Sequence, residues 1–272
     1  MSDANPVPRV PAELLLDRPA GPAAPLVTFY DDATGERIEL SGKTFGNWVA
    51  KTANLLVDGL GAQPGDRVAL ALPPHWQTAV WLFACWSAGL VAAPVPLPLA
   101  AADSGGADVL TVTEPDLPRA LEAGGAPEIV GLSLHALGGP LGDCPPGVTD
   151  YATEVRSYGD RFASYAPVDP DAEALRVTNV TLTGGEVVEK ALSFARKAAL
   201  DSSARVLTIG PYHTWEGLLA GLLGPMAAGG SLVIGRNIDK AALDRRISLE
   251  HVTAVTGAPG WDPPSGSPYR LP

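Results

Sequence analysis

Two histidines, His75 and His213, each follow a strand-like run and a proline at the start of a helix-like segment. In a parallel α/β sheet that is the carboxyl end of a strand, where an imidazole would meet a bound ligand. Tyr212, next to His213, is a second candidate contact. Thr183-Gly184-Gly185 carries chemistry of another kind. Small residues opening a helix can present backbone N–H groups to a phosphate. They can also do no more than start the helix, with Thr183 as its cap, and that is the simpler reading. Glu186 and Glu189 suit the helix dipole there but would repel a phosphate. His135 and His251 have no companions that suggest metal or catalysis, and Ser202-Ser203 reads as loop. No Gly-x-Ser-x-Gly, Gly-x-Gly-x-x-Gly or Walker pattern occurs.

The chain that must position these residues has 272 residues, 46% apolar and 18% charged, a globular balance. Its net charge of −11 speaks against binding nucleic acid or anionic membranes. Cys85 and Cys144 are too few for a disulfide framework or a zinc site, so a reducing cytoplasm is expected. The N-terminus lacks the apolar core of a signal peptide. Two uncharged stretches, 68–102 and 217–235, are broken by prolines and glycines respectively, so no membrane span is expected.

Strand and helix signals alternate along the chain. Residues 1–25 form a Pro/Ala-rich segment with one short helical possibility around Glu13. A hairpin follows, with strands at 26–30 and 37–40 and turn residues around Asp31-Asp32. Ser41 would cap a helix over 43–60, whose apolar residues recur at three-and-four spacing. Next come a strand at 67–72, a helix at 75–88 and a strand at 91–95. Trp76, Trp81 and Trp86 are spread around that helix, which predicts burial on most sides. Strands are expected at 108–113 and 128–132, with a short helix at 118–123 between them. Residues 137–149 read as loop and 151–162 as helical. From 175 the order is strand 175–182, helix 185–200, strand 205–209, helix 215–228, strand 231–234, helix 240–249 and strand 252–255.

Leu40-Ser41-Gly42 answers to Leu182-Thr183-Gly184. Arg67-Val68, Pro73 and His75 answer in turn to Arg205-Val206, Pro211 and His213. This layout predicts two copies of a strand–helix–strand–helix–strand unit. The expected fold class is α/β: two related subdomains of mostly parallel β-sheet flanked by helices, at 26–170 and 171–260, followed by a Pro-rich tail at 261–272.

The run 43–94 carries a resemblance. A helix leads to Gly61-Ala62-Gln63-Pro64-Gly65-Asp66-Arg67-Val68-Ala69-Leu70, then Pro73, then a helix ending Ser87-Ala88-Gly89, then a strand. It resembles the opening of the adenylate-forming superfamily, which includes acyl-CoA synthetases, luciferases and peptide-synthetase adenylation domains. Residues 207–234 agree, with Pro211-Tyr212-His213 resembling that family's Pro-Leu-x-His segment. The resemblance implies that His213 lies near the acyl side of the pocket. Residues 252–259 are similar to the family's next strand, so the likeness covers about 26–260.

The resemblance also implies a Ser/Thr/Gly-rich phosphate loop ending Pro-Lys-Gly between these two blocks. Only Thr183, Gly184 and Gly185 could be remnants of it, and Lys190 falls inside the helix. After Pro259 the magnesium-binding glutamate, the ribose-binding aspartate and the catalytic lysine find no counterparts. The expectation is a non-catalytic, ligase-like protein that binds a protein partner or a small acyl or nucleotide ligand. Two alternatives stay open: a half-enzyme completed by another chain, or an enzyme with different chemistry in the inherited cleft. No cofactor is expected, although AMP, ATP or an acyl-adenylate could fit the inherited site; a homo-oligomer is an alternative to a partner protein.

Overall fold

The computed structural model describes residues 7–16, 18–100, 105–135, 138–178, 180–263 and 268–272. Among them, two sheets of mostly parallel strands face each other across a layer of helices, as the α/β reading requires. The first unit runs β1 (Pro25–Asp31), β2 (Glu36–Ser41), α1 (Gly42–Asn54), β3 (Arg67–Ala71), α2 (Trp76–Ser87) and β4 (Val91–Pro94). Then follow β5 (Val109–Thr113), α3 (Leu117–Ala123), β6 (Glu128–Leu132), β7 (Val148–Asp150) and α4 (Tyr151–Glu154). The second unit is β8 (Glu173–Val177), β9 (Val180–Thr183), α5 (Gly184–Lys197), β10 (Arg205–Thr208), α6 (Trp215–Leu218), α7 (Gly224–Ala227) and β11 (Ser231–Arg236). A wider helical turn, Leu219–Leu223, joins α6 to α7. The chain closes with α8 (Leu243–Leu249), β12 (Ala254–Thr256) and β13 (Tyr269–Arg270).

Strand alternation builds the layers. Val68 and Leu70 of β3 face the central helices, while Ala69 and Ala71 face α3 with Leu110 and Val112. In the other sheet Val206 and Leu232 look inward, and Leu207 and Val233 look out toward α8. Helix α2 lies between the sheets with every residue from Trp76 to Trp86 buried, as its scattered tryptophans predict. Ser41 caps α1, its hydroxyl accepting the Thr44 N–H at 3.1 Å. Gly89 ends α2 at φ +72, a conformation that glycine adopts without a Cβ penalty.

The predicted repeat is present as layout: hairpin, helix, strand, helix, strand occurs in each unit. The hairpins are exchanged between the sheets. The six-stranded sheet has the order β13-β12-β10-β11-β1-β2 and the seven-stranded sheet β7-β6-β5-β3-β4-β8-β9. The hairpin of the first unit therefore extends the second unit's sheet, with β1 parallel to β11. The hairpin of the second unit extends the first, with β8 parallel to β4. Boundaries at 26–170 and 171–260 follow chain order and do not coincide with the sheets.

Side chains pin β1 to its adopted sheet. Arg205 donates to Thr28 Oγ1 at 2.9 Å and pairs with the buried Glu250, which also accepts from the Tyr30 hydroxyl. Arg246 donates to both oxygens of Asp32 and lies 4.3 Å from the centre of the Tyr30 ring. Asp31 accepts from Asn237 Nδ2 at 2.9 Å. The Asp31-Asp32 turn thus also ties three segments together.

Other differences are local. The single strand expected over 175–182 is two antiparallel strands, β8 and β9. Helix over 151–162 stops early, with α4 and one tighter turn, Val155–Ser157. The tail supplies β13, paired in parallel with β12; residues 264–267 of it lie outside the described residues. Of the two stretches, 68–102, whose residues 101 and 102 lie outside the described residues, holds β3-α2-β4, and 217–235 falls on α6-α7-β11. No helix among the described residues is long and apolar enough to cross a membrane.

Candidate functional site

The carboxyl ends of β10 and β12 form a rim, because both strands run parallel and end together. Beyond β10 the chain turns through Gly210-Pro211-Tyr212-His213 into α6, whose first turn is capped by Thr214 Oγ1 accepting the Gly217 N–H at 3.2 Å. A depression of about 590 Å³ opens here, lined by Gly210, Pro211, Thr214, Glu216, Gly257 and Arg270 among others. On the other face of the same strand ends lies an apolar hollow of about 370 Å³, bounded by Ile209, Ile238, Leu243, Ala258 and Trp261, with Lys240 at its edge. Gly257 divides the two. Its φ is +72, and a Cβ there would come within 2.3 Å of the Gly210 amide nitrogen.

His213 lies in the turn between Pro211 and Thr214, half-buried and lining neither hollow, and its carbonyl accepts the Thr178 hydroxyl at 3.0 Å. Thr178 is the tip of the β8–β9 hairpin, held at φ 21. The sequence does not disclose this neighbour, because the run 177–182 holds no glycine or proline to mark a turn. Tyr212 points the opposite way: only 2% exposed, it sits in the core beside Thr208 and Gly221. So buried, it presents no free contact to a ligand at the rim, and the same burial raises its phenol above the usual value.

Thr183, Gly184 and Gly185 stand elsewhere. Glu173 pairs with Thr183, so β9 carries the chain back from the Thr178 tip to the amino end of the sheet. Thr183 forms a capping box with Glu186, each side chain accepting the other's backbone N–H. The Gly184 N–H donates to the Ala172 carbonyl at 3.1 Å and the Gly185 N–H to that of Pro170 at 2.7 Å. The N–H groups that could have cradled phosphate are engaged within the chain. As possible ligand contacts these three residues are therefore corrected: they form a helix start at the end of the sheet away from His213.

His75 occupies the place equivalent to His213 but is 0% exposed. Its Nδ1 accepts the Gln77 N–H at 3.1 Å, capping α2, and its ring stands edge-on to Phe29 at 4.3 Å. Burial, helped by the charge of Arg236, pushes its pKa down to about 3. The folded protein therefore binds this proton less well than the unfolded chain does. The stability from keeping His75 neutral is full above the unfolded pKa near 6.5 and fades as pH falls toward 3. Between about pH 7 and pH 5 the wild type should lose about 2 kcal/mol that a His75→Asn variant keeps. Urea unfolding at the two pH values checks this. Among the described residues no group of three or more His, Cys, Asp or Glu could hold a metal ion.

These strands, helices and rim define a class: the scaffold of the N-terminal domain of an adenylate-forming ligase. The AMP-binding enzyme family matches residues 20–107. The solved acyl-CoA synthetase of Brucella canis superposes with a TM-score of 0.75 at 17% identity, covering 91% of this chain and 47% of that one. A feruloyl-CoA synthase of Amycolatopsis is 28% identical over 78% of this chain and 42% of its own length. The chain thus spans about half the length of these ligases. A protein of Mycobacterium tuberculosis described as a TIGR03089 family protein is 42% identical over 87% of this chain and 93% of its own. The chain belongs to that family.

Proposed function

We propose that this ligase-like chain binds a protein partner or a small acyl or nucleotide ligand at the rim beside His213, and does not itself adenylate a substrate. One observation carries this reading. Where the ligase resemblance implies a phosphate loop, its only possible remnants, Thr183-Gly184-Gly185, open α5 with their N–H groups engaged within the chain. That helix start offers no free N–H groups to a triphosphate, and Lys190 lies inside the helix and not in a loop. Without them the charge that develops when ATP is attacked in line goes unstabilised. The feature is internal to the chain and does not depend on where the sequence stops. A half-enzyme completed by another chain is favoured by the coverage of the longer ligases. It would still have to import a phosphate loop that belongs to this half. A cytoplasmic setting fits the unpaired Cys85 and Cys144.

Thermal unfolding in the presence of AMP, ATP and a non-hydrolysable acyl-adenylate tests the reading. ATP should stabilise the protein no more than AMP does. Any stabilisation by the acyl-adenylate should vanish in His213→Ala. A shift with ATP well beyond that with AMP would mean that a triphosphate site exists, and the reading would fail. No shift with any of the three would leave the protein partner as the rim's occupant.

A further inference from the structure

A third concavity lies before the amino end of β11, away from the rim at the carboxyl ends of β10 and β12. The N-terminal segment crosses the end of α7 just before β11 begins, leaving a groove of about 350 Å³. Leu14, Leu16, Met226 and Ala227 give it apolar walls. Arg18 also lines it, half-buried, with Nη2 donating to the Gly230 carbonyl at 2.5 Å and Nη1 to Met226 Sδ at 3.8 Å. Among the described residues no carboxylate pairs with Arg18. Its surroundings pull the guanidinium below its ordinary pKa by burial alone. A cation withdrawn from water without an anion is costly, and a guanidinium fork matches a carboxylate with two parallel hydrogen bonds.

We propose that this groove binds a carboxylate carried on a compact apolar body, with Arg18 taking the carboxylate and Leu14, Leu16 and Met226 the body. The charge at the site sets the valence. Arg9 and Glu13 also line the groove, the Glu13 carboxylate accepting the Arg9 backbone N–H at 2.6 Å; their opposite charges offset, which leaves the single charge of Arg18 for a singly charged anion. A volume of about 350 Å³ suits a short fatty acid or an aryl acid. The groove and the rim share no lining residue. This site is therefore separate from the proposed function and does not rest on it.

The sequence holds two methionines, Met1 and Met226, so methyl-labelled methionine reports on the groove almost alone. Octanoate titrated into the labelled full-length chain should shift the Met226 methyl signal saturably. Octanamide, which lacks the charge, should bind at least about tenfold more weakly. Leu16→Glu changes an exposed wall residue and leaves the core intact. It should weaken octanoate about tenfold by placing a second negative charge at the site. Arg18→Gln, which removes the charge and adds no methionine, should abolish the shift. A Met226 signal that ignores octanoate, or that responds equally to octanamide, would overturn the proposal. ATP and AMP added alone should leave it still, which separates this result from any at the rim.

Discussion

Replacing Gly257 by alanine should destabilise the protein by about 3 kcal/mol or more and dismantle the rim. Two effects add. At φ +72 a side chain is strained, which costs about 1–2 kcal/mol. The new Cβ would also sit 2.3 Å from the Gly210 nitrogen, and 2.6 Å from its Cα. Those are backbone atoms that cannot rotate away, so the ends of β10 and β12 must part. Gly61→Ala is the control. Its φ is +71, but a Cβ there meets nothing within 4 Å. It should cost only the strain, about 1 kcal/mol. Midpoints of urea unfolding for the two variants give the comparison. Equal losses would mean that the close approach of Gly210 and Gly257 has no energetic weight.

The second large effect is expected at Trp86. This indole is 1% exposed at the end of α2, and its Nε1 donates to the Ala174 carbonyl of β8 at 2.9 Å. It therefore links the buried helix to the hairpin that the second unit lends to the first unit's sheet. Trp86→Ala leaves a large cavity and strands a carbonyl, for a loss of about 4 kcal/mol or more. Trp261→Ala, at the edge of the rim, removes an indole bonded to Asp244 and should cost about 1 kcal/mol. Equilibrium unfolding followed by far-UV circular dichroism reads both. A Trp86→Ala loss as small as that of Trp261→Ala would show that α2 does not anchor the exchanged hairpin.

Much of this fold is legible in the sequence, for reasons that particular residues supply. The all-apolar run at 67–72 announces a strand covered on both faces, and Trp76, Trp81 and Trp86 announce a helix buried all round. Ser41-Gly42 and Thr183-Gly184 mark two helix starts, and both hydroxyls serve as caps. The exchange of hairpins was not legible. Local pattern fixes which residues form β1 and β8, but not which distant strand each one meets. The turn at Thr178 was hidden because its flanks keep strand alternation and it contains neither glycine nor proline. Tyr269-Arg270 stayed hidden among prolines and serines, where β propensity is low.

The candidate site was legible in part. His213 follows β10 and a proline, as the sequence order suggests, but lines neither hollow of the rim. Thr183-Gly184-Gly185 was rightly read as a helix start. Its distance from His213 follows only from the antiparallel return of β9, which the sequence did not disclose. His75 matches His213 in position but not in environment. The residue at its back is Phe29, contributed by the exchanged hairpin. Burial, not spacing, separates a cap from a candidate ligand contact.

The helix start at Thr183-Gly184-Gly185, its N–H groups engaged within the chain, should leave the protein unable to hold a triphosphate. The most direct measurement is exchange of labelled pyrophosphate into ATP by the purified chain, with magnesium and a panel of fatty and aromatic acids. No exchange above the protein-free rate is expected with any acid. Exchange that needs both the chain and a particular acid would contradict it.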